Sequence, residues 1–501
     1  MILGLTKPIE LNLLIYQGTL CIIKILYEEI INMKILLIFV PALVRKNKFE
    51  VLNSPPLALY VLAACAKKAG YEVSVIDPCE FLLFDTRDDL VKNSYKLIYD
   101  RMKDCNVIAF SSNTFNWGIT KEILDLFSND KRSKKIILGG LHPTIFDKHV
   151  MEITCADYVI RGEGEKTMSY LLNAINCGVG VEKILGITYK RDGVIQRNKD
   201  AEPLSLSEWK AAPYPDYSLL PINNPYLYIP VESSRGCRFS CAFCSIPHRH
   251  NWRALPPADV INRVKYALRE TATCIPNKSI LFVDDCFTND PLRVREIRCE
   301  YRKSINMNIP IGIEVRATDI IKGDFIQNSN INEFSFMQIG VECGYDEGLK
   351  KIKKGLNMTQ LYEALDIIFK KGYEEIAFLS FIIGFPWESN NEIIMTLNTV
   401  ENIAEKYNII CNVNWLMMLP SSIWEEREKY KITSDESVFD DKSWSFDENI
   451  FFKTHPNLNI NIMKYAFEKV KNMQLRGLRV NLNMPDLKSV FEVVFEMKYE
   501  H

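Results

Sequence analysis

Short apolar runs alternate with stretches of helical period twice along this chain, and that alternation limits the folds open to it. In the first block the pattern predicts strands at 35–39, 73–76, 107–110, 135–138 and 158–160. Leu57, Tyr60, Val61 and Ala64 recur at helical spacing between the first two, with Pro56 suited to the first turn and Gly70 to the residue after the end. In the second block, strands are expected at 228–233, 279–283, 311–315, 337–341, 376–383 and 411–417, and a helix at 257–270. Strands separated by helices form parallel sheets covered on both faces. The expectation is therefore an α/β chain: a doubly wound domain over 33–175 and a partial (β/α)6 barrel over 227–425. Between them, 176–226 reads as a hairpin turning at Asp192-Gly193, followed by a proline-rich linker. Residues 426–501 read as a small, mainly helical region, with an amphipathic helix at 460–474.

Parallel sheets of this kind bind ligands beyond the carboxyl ends of their strands. In the first block those ends carry Ser111-Ser-Asn-Thr114, Gly139-Gly-Leu-His-Pro-Thr144 and Gly162-Glu-Gly-Glu165. Glycines there admit a large ligand close to the backbone, and tight turns select them too. His142 is read as shaping its loop.

The second block begins with the most informative run, Ser234-Arg-Gly-Cys-Arg-Phe-Ser-Cys-Ala-Phe-Cys-Ser-Ile-Pro247. Cysteine thiolates hold iron–sulfur clusters. Three of them on one loop, here Cys237, Cys241 and Cys244, can hold three corners of a four-iron cube and leave the fourth iron open. A structural zinc site completed by His248 or His250 is the alternative, although zinc takes four closed ligands.

At these residues the chain resembles the radical S-adenosylmethionine (radical SAM) superfamily, whose signature is CxxxCxxC with an aromatic residue before the last cysteine, here Phe243. The resemblance implies that Cys237, Cys241 and Cys244 bind a 4Fe–4S cluster whose open iron chelates SAM. Reductive cleavage of SAM would then give a 5′-deoxyadenosyl radical. It also implies that Phe243 and the Gly384 region contact adenine and that Glu342 reaches the ribose or the aminoacyl group; a rim ion pair is the other reading of Glu342. Asp284-Asp285 serves either a cofactor or the cap of the next helix. Glu388 is taken to open a helix near Ser389, Lys350–Lys354 to be a solvated face, and Cys286 and Cys343 to be buried small hydrophobes. His455 and Tyr430 are unassigned.

Ser54-Pro-Pro-Leu57, the helix to Gly70, Gly139-Gly140 and Gly162–Glu165 resemble the cobalamin-binding domain fused to many radical SAM enzymes. That implies a flavodoxin-like fold holding a corrinoid near Ser112, Thr114, Gly139, Gly140 and Gly162. The axial-histidine motif of cobalamin mutases is absent, since 41–54 contains no histidine. The implied activity is cobalamin-dependent methylation of an unactivated carbon in a small molecule, a second SAM regenerating methylcobalamin. A ring-forming relative of the anaerobic magnesium-protoporphyrin monomethyl ester cyclase and a non-catalytic corrinoid carrier are the alternatives.

The net charge of −2 argues against extended nucleic-acid contact. Fourteen cysteines in 501 residues, with a cluster loop among them, suit a reducing cytoplasm and a reductant such as flavodoxin or ferredoxin. Residues 1–32 are read as an upstream extension or loose appendage, with a membrane-surface anchor as the alternative; no membrane span is expected.

Overall fold

A computed structural model describes residues 33–483, apart from 46–47, 51, 83–89, 129–133, 247–250, 276–278, 306–308, 324–325 and 445–447. The segment 1–32 and the histidines at 248 and 250 therefore lie outside the described residues.

The first sheet contains β1 (Lys34–Phe39), β2 (Glu72–Ile76), β3 (Val107–Ser111), β4 (Lys135–Gly139), β5 (Tyr158–Ile160), β6 (Ile187–Arg191) and β7 (Val194–Arg197), ordered β2-β1-β3-β4-β5-β6-β7. The first five strands are parallel, in the flavodoxin-like order. β1 is buried through Ile35, Leu36, Leu37 and Ile38, as a strand covered on both faces must be. The hairpin expected in the connector joins this sheet antiparallel through β5–β6. Asp192 and Gly193 both take positive φ, 50° and 78°, as a tight hairpin turn requires.

The second sheet runs β8 (Tyr228–Val231), β9 (Ser279–Phe282), β10 (Ile311–Arg316), β11 (Phe334–Glu342), β12 (Ala377–Ile383), β13 (Ile410–Trp415) and β14 (Val480–Asn483). All seven are parallel and lie in sequence order, the arrangement of an incomplete barrel. β14 is one strand more than the six expected, and it comes from the region expected to be mainly helical. The helix expected at 460–474 is Ile460–Leu475 and leads directly into it.

The C-terminal region also reaches back to the first domain. The turn Glu436–Asp440 packs on helix Thr114–Phe127, and Trp117 Nε1 of that helix and His149 Nε2 of helix Asp147–Ile153 each bond to the Asp440 carboxylate at 2.8 Å. A Cβ on Gly118 would lie 2.5 Å from the backbone of Asp441, so only glycine permits this approach. Among the described residues no helix is long and apolar enough to cross a membrane.

Candidate active site between the two sheets

A cavity of about 470 Å³ lies where the carboxyl ends of the first sheet face the entrance of the second. On one side are Leu37, Ala109, Ser111, Ile137, Gly139, Gly140, Ile160 and Gly162; on the other are Glu232, Arg235, Gly236, Ile246 and Asp285. The volume is within the range of about 300–1,000 Å³ usual for ligand sites.

The three glycines expected at the corrinoid all reach this cavity. Gly140 has φ +95°, and a Cβ there would lie 2.4 Å from the Ser112 carbonyl oxygen. Gly162 has φ +76°, and a Cβ there would meet nothing within 4 Å. Ser112 and Thr114 do not line the cavity. Both are buried; Ser112 Oγ donates to Asn116 at 2.8 Å, and Thr114 lies 3.3 Å from His142 Nδ1. They brace the loop beneath the glycines because a hydroxyl buried there needs a partner. His142 is fully buried, with its ring stacked on Trp117 at 4.8 Å, and burial holds it well below its usual pKa. It shapes the loop. No histidine lines the cavity among the described residues, so a planar ligand resting on glycine backbone without a protein ligand fits this wall.

The cysteine loop leaves β8 and is fixed from several directions. Asp284 is buried and accepts from Ser233 N at 2.7 Å and Ser234 Oγ at 2.6 Å. It does not line the cavity, and the next helix, Pro291–Ser304, is capped by Asp290 rather than by Asp284. Arg293 donates to the Ser233 carbonyl at 2.6 Å, and Ala242 N donates to the Ile352 carbonyl at 2.9 Å. Asp285, by contrast, lines the cavity; burial raises its pKa against a backbone bond from Gly236.

Cys237 and Cys241 are buried, and burial, with a lesser contribution from the neighbouring Cys241, pushes the Cys237 thiol up. Cys244 is half-buried, its backbone N bonded to Cys241 O at 3.1 Å. Among the described residues no three His, Cys, Asp or Glu side chains group as ligands of a single metal ion. A cube makes a different demand, since each thiolate binds a different iron. Three thiols on one anchored loop fit it.

Two stretches expected to hold adenine come together: the Phe243 ring meets Phe385 edge-on at 6.2 Å, and Phe385 stacks on Trp387 at 5.0 Å. Gly384 has φ +86°, and its Cβ would fall 2.9 Å from the Trp415 ring. Glu388 holds this turn. Its Oε2 accepts from Gly384 N at 2.7 Å and Phe385 N at 3.0 Å, and its Oε1 accepts from Tyr345 Oη at 3.0 Å. Burial raises its pKa to about 7 against those bonds. The helix cap is Ser389, so the expectation that Glu388 opens the helix is corrected.

Glu342 takes φ +76° and pairs with Lys354 at 2.8 Å, both buried. The ion pair expected as an alternative is present. Lys354 is thus the exception to the solvated face predicted for its run; the barrel rim folds it inward against the carboxylate. Cys286 and Cys343 are buried as expected. His455 is buried, with Nε2 2.7 Å from the Leu416 carbonyl, and Tyr430 packs on Trp387.

One feature of the site was not visible in either motif alone. Arg235, two residues before Cys237, lies 2.7 Å from Glu165 and 3.3 Å from Glu163 of the first domain, and 2.8 Å from Glu232. Arg253 also pairs with Glu163, and the Arg235 guanidinium rests 4.8 Å over the Trp209 ring. The glycine-rich loop of one domain is therefore tied to the cluster loop of the other.

Fold and site together define a radical SAM enzyme with a corrinoid domain in front of its barrel. The B12 binding domain family matches residues 51–172 and the Radical SAM superfamily residues 231–400. The chain is similar to an uncharacterized methyltransferase of Pyrococcus horikoshii, 27% identical over 75% of this chain and 79% of that one. It is also similar to the anaerobic magnesium-protoporphyrin IX monomethyl ester cyclase of Rubrivivax gelatinosus, 24% identical over 79% of this chain and 69% of that one. Among solved structures it resembles the cobalamin-dependent S-adenosylmethionine radical enzyme OxsB with aqua-cobalamin bound, with TM-score 0.58 and 20% identity. That match covers 75% of this chain and 53% of OxsB, so the chain spans about half the length of that protein. One chain thus carries a B12 binding domain followed by a Radical SAM domain.

Proposed function

We propose that this chain methylates an unactivated carbon of a small-molecule substrate. The observation that carries this reading is a cavity lined both by the glycine-bearing strand ends and by Arg235, Gly236 and Ile246, which flank the three cysteines. When bound, the cluster, SAM and the corrinoid supply radical initiation and a methyl donor. Cys237, Cys241 and Cys244 hold the cluster, and Gly139, Gly140 and Gly162 admit the corrinoid. Phe243 and Phe385 offer aromatic faces to adenine, while Glu388 fixes the turn that presents Phe385. The Glu342–Lys354 pair presents a carboxylate to the ribose or aminoacyl end of SAM. Apolar side chains such as Leu37, Ala109 and Ile137 keep water from the reacting space. A low-potential carrier of the flavodoxin or ferredoxin kind supplies electrons, and a cytoplasmic setting suits the exposed thiols Cys177 and Cys299.

The test is anaerobic turnover of the reconstituted chain with methyl-labelled SAM and a small-molecule extract. Label in a new product supports methylation. SAM cleavage that yields a product without label, through loss of hydrogen and ring closure, contradicts it in favour of the cyclase chemistry.

A further inference from the structure

We propose that Arg316 tunes the reduction potential of the iron–sulfur cluster, as a charged positioning residue whose N–H donates to the sulfur of Cys241. The inference rests on the cluster reading of the Cys237–Cys244 loop and deepens it.

Arg316 ends β10 and is 7% exposed. Its guanidinium lies over the Phe239 ring at 3.6 Å from the centroid, and Phe239 stands inside the loop between Cys237 and Cys241. From that stacked position Nη1 is 3.9 Å from Cys241 Sγ, while Nη2 donates to the Lys354 carbonyl. The plane of the side chain is thus fixed by a ring on one side and a carbonyl at one end, and the free edge addresses the sulfur.

Two buried cations flank the loop, and they differ. Lys354 is neutralised by Glu342 at 2.8 Å. No carboxylate among the described residues lies within ion-pair distance of Arg316. Its charge therefore faces the loop without an ion-paired carboxylate, with the Asp319 carboxylate within its field. Reduction adds one electron to the cluster, taken from a one-electron carrier of low potential, with no proton transferred. A fixed positive charge in a poorly solvated site stabilises the more negative state. Net charge and hydrogen bonds to the sulfurs are among the factors that set cluster potentials.

The experiment is a redox titration of the full chain, reconstituted anaerobically with iron and sulfide and followed by the paramagnetic resonance of the reduced cluster. SAM binding is measured on the same samples. Arg316→Gln is expected to retain iron and sulfide and to shift the midpoint to a more negative value. Arg316→Lys, which keeps the charge but not the flat stack, is expected to fall between that variant and the parent. Phe239→Leu, which removes the stack but leaves the charge, is expected to shift it less than Arg316→Gln. An unchanged midpoint in Arg316→Gln with weakened SAM binding overturns the proposal and makes Arg316 a ligand of the SAM carboxylate. If Arg316→Gln does not load iron, unchanged midpoints in both other variants overturn it equally. A parent chain that loads no iron refutes the cluster reading itself, a result distinct from any shift among variants.

Discussion

The cavity has two walls built in different ways. On the corrinoid side, β1, β3, β4 and β5 meet it with Leu37, Ala109, Ile137, Ile160 and glycine backbone. On the cluster side it meets Glu232, Arg235 and Asp285, with Asp284 and Arg293 behind them. A wall of glycine and aliphatic carbon accepts a large flat ligand through shape. A wall of paired ions fixes a loop of thiols at a set place and discourages a shift, because each buried charge has its partner only in one arrangement. The Arg235 bridge to Glu163 and Glu165 joins the two, so the difference in construction does not leave the walls independent.

The comparison can be broken most severely on the cluster side. Cys237→Ala is expected to lose the cluster and to reduce SAM cleavage to the rate of a blank, while corrinoid binding persists; iron assay and chromatography of SAM products check this. If corrinoid binding is lost with it, the walls are one unit.

Arg235→Gln leaves Glu163, Glu165 and Glu232 crowded without their shared cation. Removing one partner of a buried pair costs about 3–5 kcal/mol, and denaturant unfolding should show a loss of that order. Restoring most of it with Arg235→Lys would show that charge matters more than the planar fork.

Glu388 sharpens the cluster side further through pH. Its pKa is raised from 4.5 to about 7, so the folded state binds a proton more tightly than the unfolded chain. The stability it contributes is complete below about pH 4.5 and is lost as pH rises through about 7, a change of about 3 kcal/mol. Unfolding midpoints measured across that window should fall with pH in the parent and fall less in Glu388→Gln.

The smallest effect is expected at the strap that binds the C-terminal region to the corrinoid side. Asp440 raises the pKa of His149, so this contact stabilises fully below about pH 6.5 and weakens as pH rises through the raised value. His149→Gln should cost about 1 kcal/mol in acid and less in base, measured by thermal unfolding. An equal cost at both pH values would make the contact a neutral hydrogen bond.

Much of this architecture was legible because apolar periodicity reports burial. β1 to β13 fall within a few residues of the runs that predicted them. β14 was not legible: in Val480-Asn-Leu-Asn483 the apolar members are only two, and Asn481 and Asn483 face Asn412 and Asn414 through side-chain bonds at 2.9 and 2.6 Å. The cysteines and the glycine turns of the site could be read from spacing and residue type. Glu388 was hidden because Ser389 beside it accounts for the helix start, and the turn it holds closes only in three dimensions. Lys354 was hidden inside a run of lysines. The Arg235 contacts join segments about 70 residues apart, a pairing that neither motif announces.

The central claim is that the cysteine loop, whose flanking residues Gly236 and Ile246 line this cavity, carries an iron–sulfur cube beside a corrinoid. Its most direct test is elemental analysis of the full chain after anaerobic reconstitution with iron, sulfide and hydroxocobalamin and removal of unbound metal. The predicted result is about four iron and four sulfide, with cobalt approaching one, per chain. Zinc at that loop, or no iron retained there, would contradict it.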